Sequence, residues 1–318
     1  MRSPDASVFR RRRAGALLAL GLVAAGLAIF LLGRGDDSED RSARTARSTP
    51  APTPTPAPSE LPGGGRTIFP DRRVVSFYGH PAADELGILG IGKPSLAGRR
   101  LLRQVKPYER KTRAVLPAME LLGTIANADP GMDGTYRSRT SPKIIARYLK
   151  AAREVGALLV LDIQPGRADF FTETKALRRW LKEPDVGLAL DPEWRVQEGQ
   201  IPGKVIGSVT PRELNATTAW LDQLTERLKL PQKLVIVHQF TDDMVDATQM
   251  KARRNLAIVL TADGFGGREV KIAKYRAFTQ EGTGFHEGFK LFYQEDVGLM
   301  TPKQVLGLRP PPDLVIYE

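Results

Sequence analysis

The chain has 318 residues, of which 42% are hydrophobic, and carries a formal net charge of +11 at pH 7. That length allows one large core or two ordinary ones, and the basic excess suits an anionic polymer or lipid headgroups. Cysteine is absent, which excludes disulfides, thiolate metal sites, cysteine nucleophiles and a lipidated cysteine.

Arg10, Arg11, Arg12 and Arg13 precede an uncharged apolar run over residues 14–33. At ~1.5 Å per residue this run spans the ~30 Å hydrocarbon core of a bilayer. The arginines predict a cytoplasmic tail (residues 1–13), a transmembrane signal-anchor (14–33) and an extracytoplasmic remainder. A cleaved signal peptide is the alternative. The run is long for that, and Gly33-Arg34-Gly35-Asp36 follows where a small-x-small site would stand. Residues 34–66 are first mixed in charge and then alternate Pro with Thr and Ala, ending in Gly63-Gly64-Gly65. Such a segment buries no core and extends as polyproline II, so it reads as a disordered stalk. Outside a membrane, the expected partner is a polysaccharide or another cell-envelope polymer. Nucleic acid is not expected, and the protein is read as a monomer.

From residue 67 onwards, apolar runs of strand length alternate with helical patterns. The runs are 74–79, 118–125, 157–163, 186–190, 233–240, 256–261, 289–293 and 314–317. They are short and apolar on both faces, as parallel strands with helices outside must be. Helix starts are marked by Ser141-Pro142, by Thr210-Pro211 with Glu213 as a capping-box acid, and by Thr301-Pro302. Residues 95–105 and 269–278 also carry helical periodicity. Eight strands predict a single α/β domain, a (β/α)8 TIM-type barrel, with a doubly wound open sheet as the competitor. Gly79-His80-Pro81 stands where a dinucleotide loop would be, which favours the barrel. No helix follows the last strand. Residues 68–71 are therefore expected to cover its outer face.

Barrel enzymes work at the C-terminal ends of their strands, and polar residues collect there. Tyr78 and His80 follow the first predicted strand, and Asp162 and Gln164 the third. His238 and Gln239 end the fifth, and Asp263 follows the sixth. Tyr293, Glu295 and Asp296 cluster at the seventh, and Glu318 ends the eighth. Strand alternation puts Gly187, Ala189, Asp191 and Glu193 on one face of the fourth. Two acids so placed raise one another's pKa, which makes a general acid. Trp194 beside them suits a sugar subsite. In the seventh strand the parity is open: either Glu295 or Asp296 faces the pocket. Glu120, in the middle of a strand, needs a polar interior or an ion pair such as one with Lys290. His80 and His238 read as hydrogen-bonding residues, so no metal or cofactor is assigned. Tyr78, His80, Asp162, Gln164, Trp194, His238, Gln239, Asp263, Tyr293 and Asp296 are the expected substrate contacts.

Asp191-Pro192-Glu193 resembles the terminal D-x-E of chitinase-like and lysozyme-like barrel glycosidases, and Glu295 is similar in place to the strand-seven nucleophile of the retaining barrel clan. The resemblance implies Glu193 as proton donor, Asp191 as its tuning partner and Glu295 as the opposing carboxylate. Gly187 and Ala189 replace the upstream aspartates of the chitinase-like signature. Pro192 replaces the Asn of the retaining clan, and Ser76 and Tyr78 stand where lysozyme-like barrels place an Asp. The likeness is thus to the glycosidase superfamily over residues 73–318. It implies a glycoside hydrolase acting on a wall or extracellular polysaccharide, with a non-catalytic carbohydrate-binding barrel as the alternative. A phosphodiesterase-like site is a third reading, and it requires His80 and His238 to face each other.

Overall fold

The computed structural model describes residues 59–279 and 284–318. The predicted anchor at residues 14–33 and most of the predicted stalk lie outside them. Among the described residues, no helix is long and apolar enough to cross a membrane.

Eight parallel strands close into a barrel. They are β1 (Arg72–Gly79), β2 (Ala114–Ala126), β4 (Leu158–Ile163), β5 (Val186–Leu190), β6 (Lys233–Gln239), β7 (Leu256–Ala262), β8 (His286–Leu291) and β9 (Leu314–Tyr317), and the β1–β2 pairing joins the ends. The ninth strand, β3 (Arg137–Arg139), pairs antiparallel with the end of β2. Its three residues carry no apolar pattern, so sequence periodicity could not reveal it. Alternation puts Arg137 and Arg139 on one face, where both grip the fully buried carboxylate of Glu173 at 2.8–3.0 Å. Strand β8 begins three residues earlier than expected and stops at Leu291.

Each strand is buried on both faces, for two different reasons. Val74, Leu116, Ala118, Val160, Ala189, Ile236, Val259 and Ile316 fill the barrel interior. Their neighbours Val75, Met119, Leu161, Leu188, Val237, Leu260 and Val315 pack against the helix layer. This double burial is what made the runs look continuous in sequence. Gly187 is required at its inward position: a Cβ there would lie 2.8 Å from the Leu234 carbonyl oxygen.

Among the described residues, seven α-helices accompany the strands: α1 (Pro94–Val105), α2 (Pro142–Glu154), α3 (Phe170–Ala176), α4 (Arg178–Leu181), α5 (Pro211–Arg227), α6 (Arg268–Phe278) and α7 (Pro302–Leu306). Ser141 and Thr210 cap α2 and α5 as expected, accepting from the backbone N–H of Ile144 and Glu213. Thr301 and Gln304 form a complete capping box at α7. The box expected at α5 does not close. Glu213 instead accepts from the Phe170 N–H at 2.8 Å and Arg195 Nε at 3.2 Å, fixing the loops above β4 and β5.

The segment before β1 also departs from expectation. Leu61, Ile68 and Phe69 are buried among the inward-facing residues, not against the outside of β9. The segment is fastened to the turn after α5: Arg66 donates to the carbonyls of Lys229 and Leu230, and Gln232 bonds the backbone of Arg66 and Ile68. It therefore stoppers the N-terminal end of the barrel, and the packed part of the chain begins before residue 67. The outer face of β9 is covered by tyrosines, with Tyr317 hydroxyl-bonded to Tyr108 at 2.6 Å and stacked on Tyr293 at 5.3 Å.

Ile68 is fully buried in this stopper. Ile68→Ala is expected to lower stability by about 2–5 kcal/mol, since large-to-small core changes lose transfer energy and leave a cavity. Urea unfolding followed by circular dichroism measures it. An unchanged midpoint would show that the segment lies on the barrel without closing it.

Candidate active site

A cleft of about 590 Å³ opens at the C-terminal ends of the strands. That is within the roughly 300–1,000 Å³ typical of small-molecule sites. Asp191, Glu193, Trp194, Tyr78, Gln164, Asp263, Tyr293 and Glu295 line it, as the sequence led one to expect. So do Phe240, Phe265, Phe292, Lys290 and Glu318, to which sequence reasoning gave no role in binding or catalysis. Rings and carboxyl groups thus share one concave surface.

From the floor of the cleft into the barrel interior runs one line of charges. Glu120 Oε1 lies 2.8 Å from His238 Nε2, and His238 Nδ1 lies 3.1 Å from Asp263 Oδ2. Asp263 Oδ2 is in turn 3.1 Å from Lys290 Nζ, which reaches Glu318 Oε2 at 2.7 Å. Signs alternate along the whole line. Glu120 therefore pairs with His238 rather than with Lys290, the ion-pair partner that the sequence offered. Lys290 was legible as an anomaly, a lysine inside an apolar strand. It faces inward, with Nζ 3.9 Å from the centroid of the Tyr78 ring.

Burial and neighbours set the protonation of this line. Burial works against a charge on His238, but Glu120 and Asp263 outweigh it and hold the imidazole well above its ordinary pKa. Lys290 is likewise disfavoured by burial and then driven well above the usual range by Asp263, Glu318, Asp191 and Glu120. It stays an ammonium ion, which excludes it as an amine nucleophile. Asp263 is buried, yet Lys290 and His238 hold its carboxyl well below the usual range. Glu318 behaves differently. Burial raises it to about 7, with Lys290 pulling down and Asp263 and Glu295 pushing up. Tyr78 is driven well above its ordinary value by burial and by the surrounding acids, so it stays a phenol and accepts from Gln164 Nε2 at 3.2 Å.

The remaining expected contacts fall elsewhere. Asp162 and His238 face the interior below the cleft, and neither lines it. His80 is withdrawn: Nδ1 accepts from the Ala82 N–H at 3.1 Å, and Nε2 lies 3.0 Å from the Thr140 hydroxyl. Burial lowers it to about 4, so it is a neutral fastener of the β1 loop. With His238 committed to Glu120, the two imidazoles do not form the facing pair that a phosphodiesterase-like site requires. Gln239, next to the inward His238, is on the opposite side of its strand and away from the cleft. Asp296 turns back to accept from Gly266 N–H and Phe292 N–H and pairs with Lys271 at 2.9 Å. Side-chain alternation does not carry past Leu291, where β8 ends. Phe292 faces inward, and the following turn brings Glu295 rather than Asp296 to the cleft.

No family model matches the chain, and no curated protein matches it. Among solved structures it is similar to a 2,3-dimethylmalate lyase of the PEP mutase/isocitrate lyase superfamily, at 11% identity and TM-score 0.45, over 78% of this chain and 77% of that one. It is also similar to a GH5-4 broad specificity endoglucanase from Clostridum cellulovorans, at 14% identity and TM-score 0.41 over 79% and 85% of the two chains. A D-allulose 3-epimerase from Methylomonas sp. is similar at 9% identity and TM-score 0.35, over 79% and 86%. At these scores, activity has to be read from the site itself.

The Glu318 carboxyl is expected to titrate near 7, which carbon-detected NMR of the labelled side chain would follow. Lys290→Met removes the cation that lowers it, so its pKa should move further up. The same change leaves Glu318 without its cation and Asp263 with His238 alone, and should cost about 3–5 kcal/mol of stability. A downward shift of Glu318 in the variant would contradict the ion pair.

Proposed function

We propose that the protein is a carbohydrate-active barrel that hydrolyses glycosidic bonds of a wall or extracellular polysaccharide. The observation that carries this reading is the cleft itself, where Trp194, Tyr293 and three phenylalanines share a surface with Asp191, Glu193, Glu295 and Glu318. Aromatic faces suit the apolar faces of sugar rings, and a pair of carboxyl groups suits acid–base cleavage of an acetal. Strand β9 stands four steps from β5 in either direction around the eight-stranded barrel. Glu318 and the Asp191–Glu193 turn are therefore diametrically placed, on either side of a substrate lying across the mouth.

In this reading Glu318 is the general acid and base. A carboxyl group near 7 is present in both forms at neutral pH, so it can protonate a leaving oxygen and later accept a proton from water. The sequence assigned that role to Glu193, with Asp191 raising its pKa. The same physics acts at Glu318, where Glu295 is among the charges that raise it. Glu193 becomes the opposing carboxylate, and Asp191 sits more deeply at the end of β5. Placement outside a membrane is part of the proposal and rests on the arginine cluster and apolar run of residues 10–33.

One observation favours the non-catalytic carbohydrate-binding alternative: Glu318 is held at 2.7 Å by Lys290, as a purely structural carboxylate would be. A glycan-binding screen followed by hydrolysis assays on the hits separates the two. For the hydrolase, Glu318→Gln should slow cleavage by about 10²–10⁴-fold and remove the limb of the pH profile near 7. Glu193→Gln should slow it without moving that limb, and Trp194→Ala should weaken glycan binding. Binding without turnover by the unaltered protein would establish the binding module. No binding to any glycan would overturn both.

A further inference from the structure

The line of alternating charges leaves some of the buried acid unexplained. Asp162 is fully buried on the inward face of β4, and neither of its oxygens accepts a hydrogen bond from any described residue. Glu120 Oε2, also fully buried, accepts none either. The Glu120–His238 pair accounts for one oxygen and one nitrogen, and three carboxylate oxygens remain. Buried carboxylates without donors cost free energy, and such groups mark places where an ion or water belongs. One oxygen from each carboxylate and one imidazole nitrogen lie within 4.8 Å of one another.

We propose that Glu120, Asp162 and His238 bind one divalent cation in the barrel interior, beneath the cleft. Ligands about 2.1 Å from a metal and at right angles stand roughly 3.0 Å apart, and tetrahedral ones roughly 3.4 Å. Glu120 Oε1 and His238 Nε2 are 2.8 Å apart, one edge of near that length, and the three ligand atoms lie within 4.8 Å of one another. The ion would displace the proton that His238 Nε2 shares with Glu120 and release it to solvent. Imidazole ligands present their second ring nitrogen to a carboxylate, and Nδ1 of His238 lies 3.1 Å from Asp263 Oδ2, at ion-pair distance though without hydrogen-bond alignment. The donor set is two carboxylates and one imidazole with no thiolate. It selects a cation of intermediate hardness, Mn²⁺ or Zn²⁺, over Ca²⁺, which takes six to eight oxygens. Three protein ligands leave at least one position for water. The sequence suggested no metal because the ligands come from three strands, at positions 120, 162 and 238, with no ligand spacing to read.

The test is equilibrium metal binding by the full-length chain after chelation and dialysis, and it needs no substrate. Calorimetry with Mn²⁺ and with Zn²⁺ should find one tight site per chain. Mn²⁺ should also show the broadened electron paramagnetic resonance of a protein-bound ion. Asp162→Asn and His238→Gln should abolish the site, while Asp263→Asn, which removes the carboxylate beside the imidazole and beside Lys290 but no ligand atom, should weaken it about 10–100-fold. The exposed Glu198→Gln should change nothing. If the Asp162 or His238 variant fails to fold, the absorption bands of Co²⁺ bound to the unaltered protein decide, since nitrogen and oxygen ligands give a pattern distinct from aqueous Co²⁺. No uptake of either metal by the folded protein, or uptake unchanged in folded Asp162→Asn, overturns the proposal. Metal binding and glycan cleavage are measured separately, so the failure of one leaves the other standing.

Discussion

One ammonium group at the centre of the barrel has to satisfy two carboxylates where little water can help. Lys290 Nζ lies 3.1 Å from Asp263 and 2.7 Å from Glu318, with its side chain 4% exposed. A buried ion pair contributes little net stability, because desolvation offsets the attraction. What it does fix is geometry. Asp263, anchored by Lys290, meets His238, and His238 meets Glu120, so the rotamers of β2, β6, β7, β8 and β9 depend on one another. Such a line is sensitive to the loss of any member, since each removal leaves an unpaired charge in a medium of low dielectric constant.

The two ends of the barrel divide the labour. At the N-terminal end Leu61, Ile68 and Phe69 extend the apolar interior and close it. Moving toward the C-terminal end, inward positions change from Val and Ile to Ser76, Glu120, Asp162 and Thr261, and then to the residues of the cleft. The apolar end lies below and the polar cleft above, the polarity that barrel architecture generally shows. The apolar stopper also keeps water from reaching the charged line from below, which strengthens every electrostatic contact along it.

The barrel was legible because its strands obey one simple rule, burial on both faces, and because Pro and Ser or Thr mark the helix starts. Asp191 at the mouth was legible for the same reason: alternation along β5 holds to its end. The reading failed wherever alternation stopped. Beyond Leu291 the chain turns, so parity could not tell that Glu295 meets the cleft while Asp296 serves Lys271. His80 carries a residue type common in active sites, yet its partners, Ala82 and Thr140, are set by loop paths that no local pattern encodes. Glu213 stands in capping-box position and is diverted to Phe170 and Arg195, because a tertiary demand outcompeted a local one. Lys290 and Glu318 were visible only as polar residues in or beside apolar runs. Their pairing required knowing that β8 and β9 are neighbours with Lys290 opposite Ile316.

Asp162 shows how far the charge pattern can be carried. Along the line from Glu120 to Glu318 each acid has a cation beside it. Asp162 lies off that line, and burial, with Asp191 and Glu120 near it, drives its pKa well above the carboxylate range, against the pull of His238. A raised pKa favours the protonated form, and a protonated acid carries a proton that still needs an acceptor. No described residue accepts that proton or donates to either oxygen. Protonation therefore removes the cost of the charge but not that of the missing hydrogen bonds. A divalent ion between Asp162, Glu120 and His238 removes both at once, because it offsets the surplus negative charge and takes the place of the absent donors. The same ion would also change the balance above it. With Asp162 and Glu120 neutralised, Lys290 and Tyr78 would face a less negative interior, while Glu318, set by burial, Lys290, Asp263 and Glu295, would stay near 7.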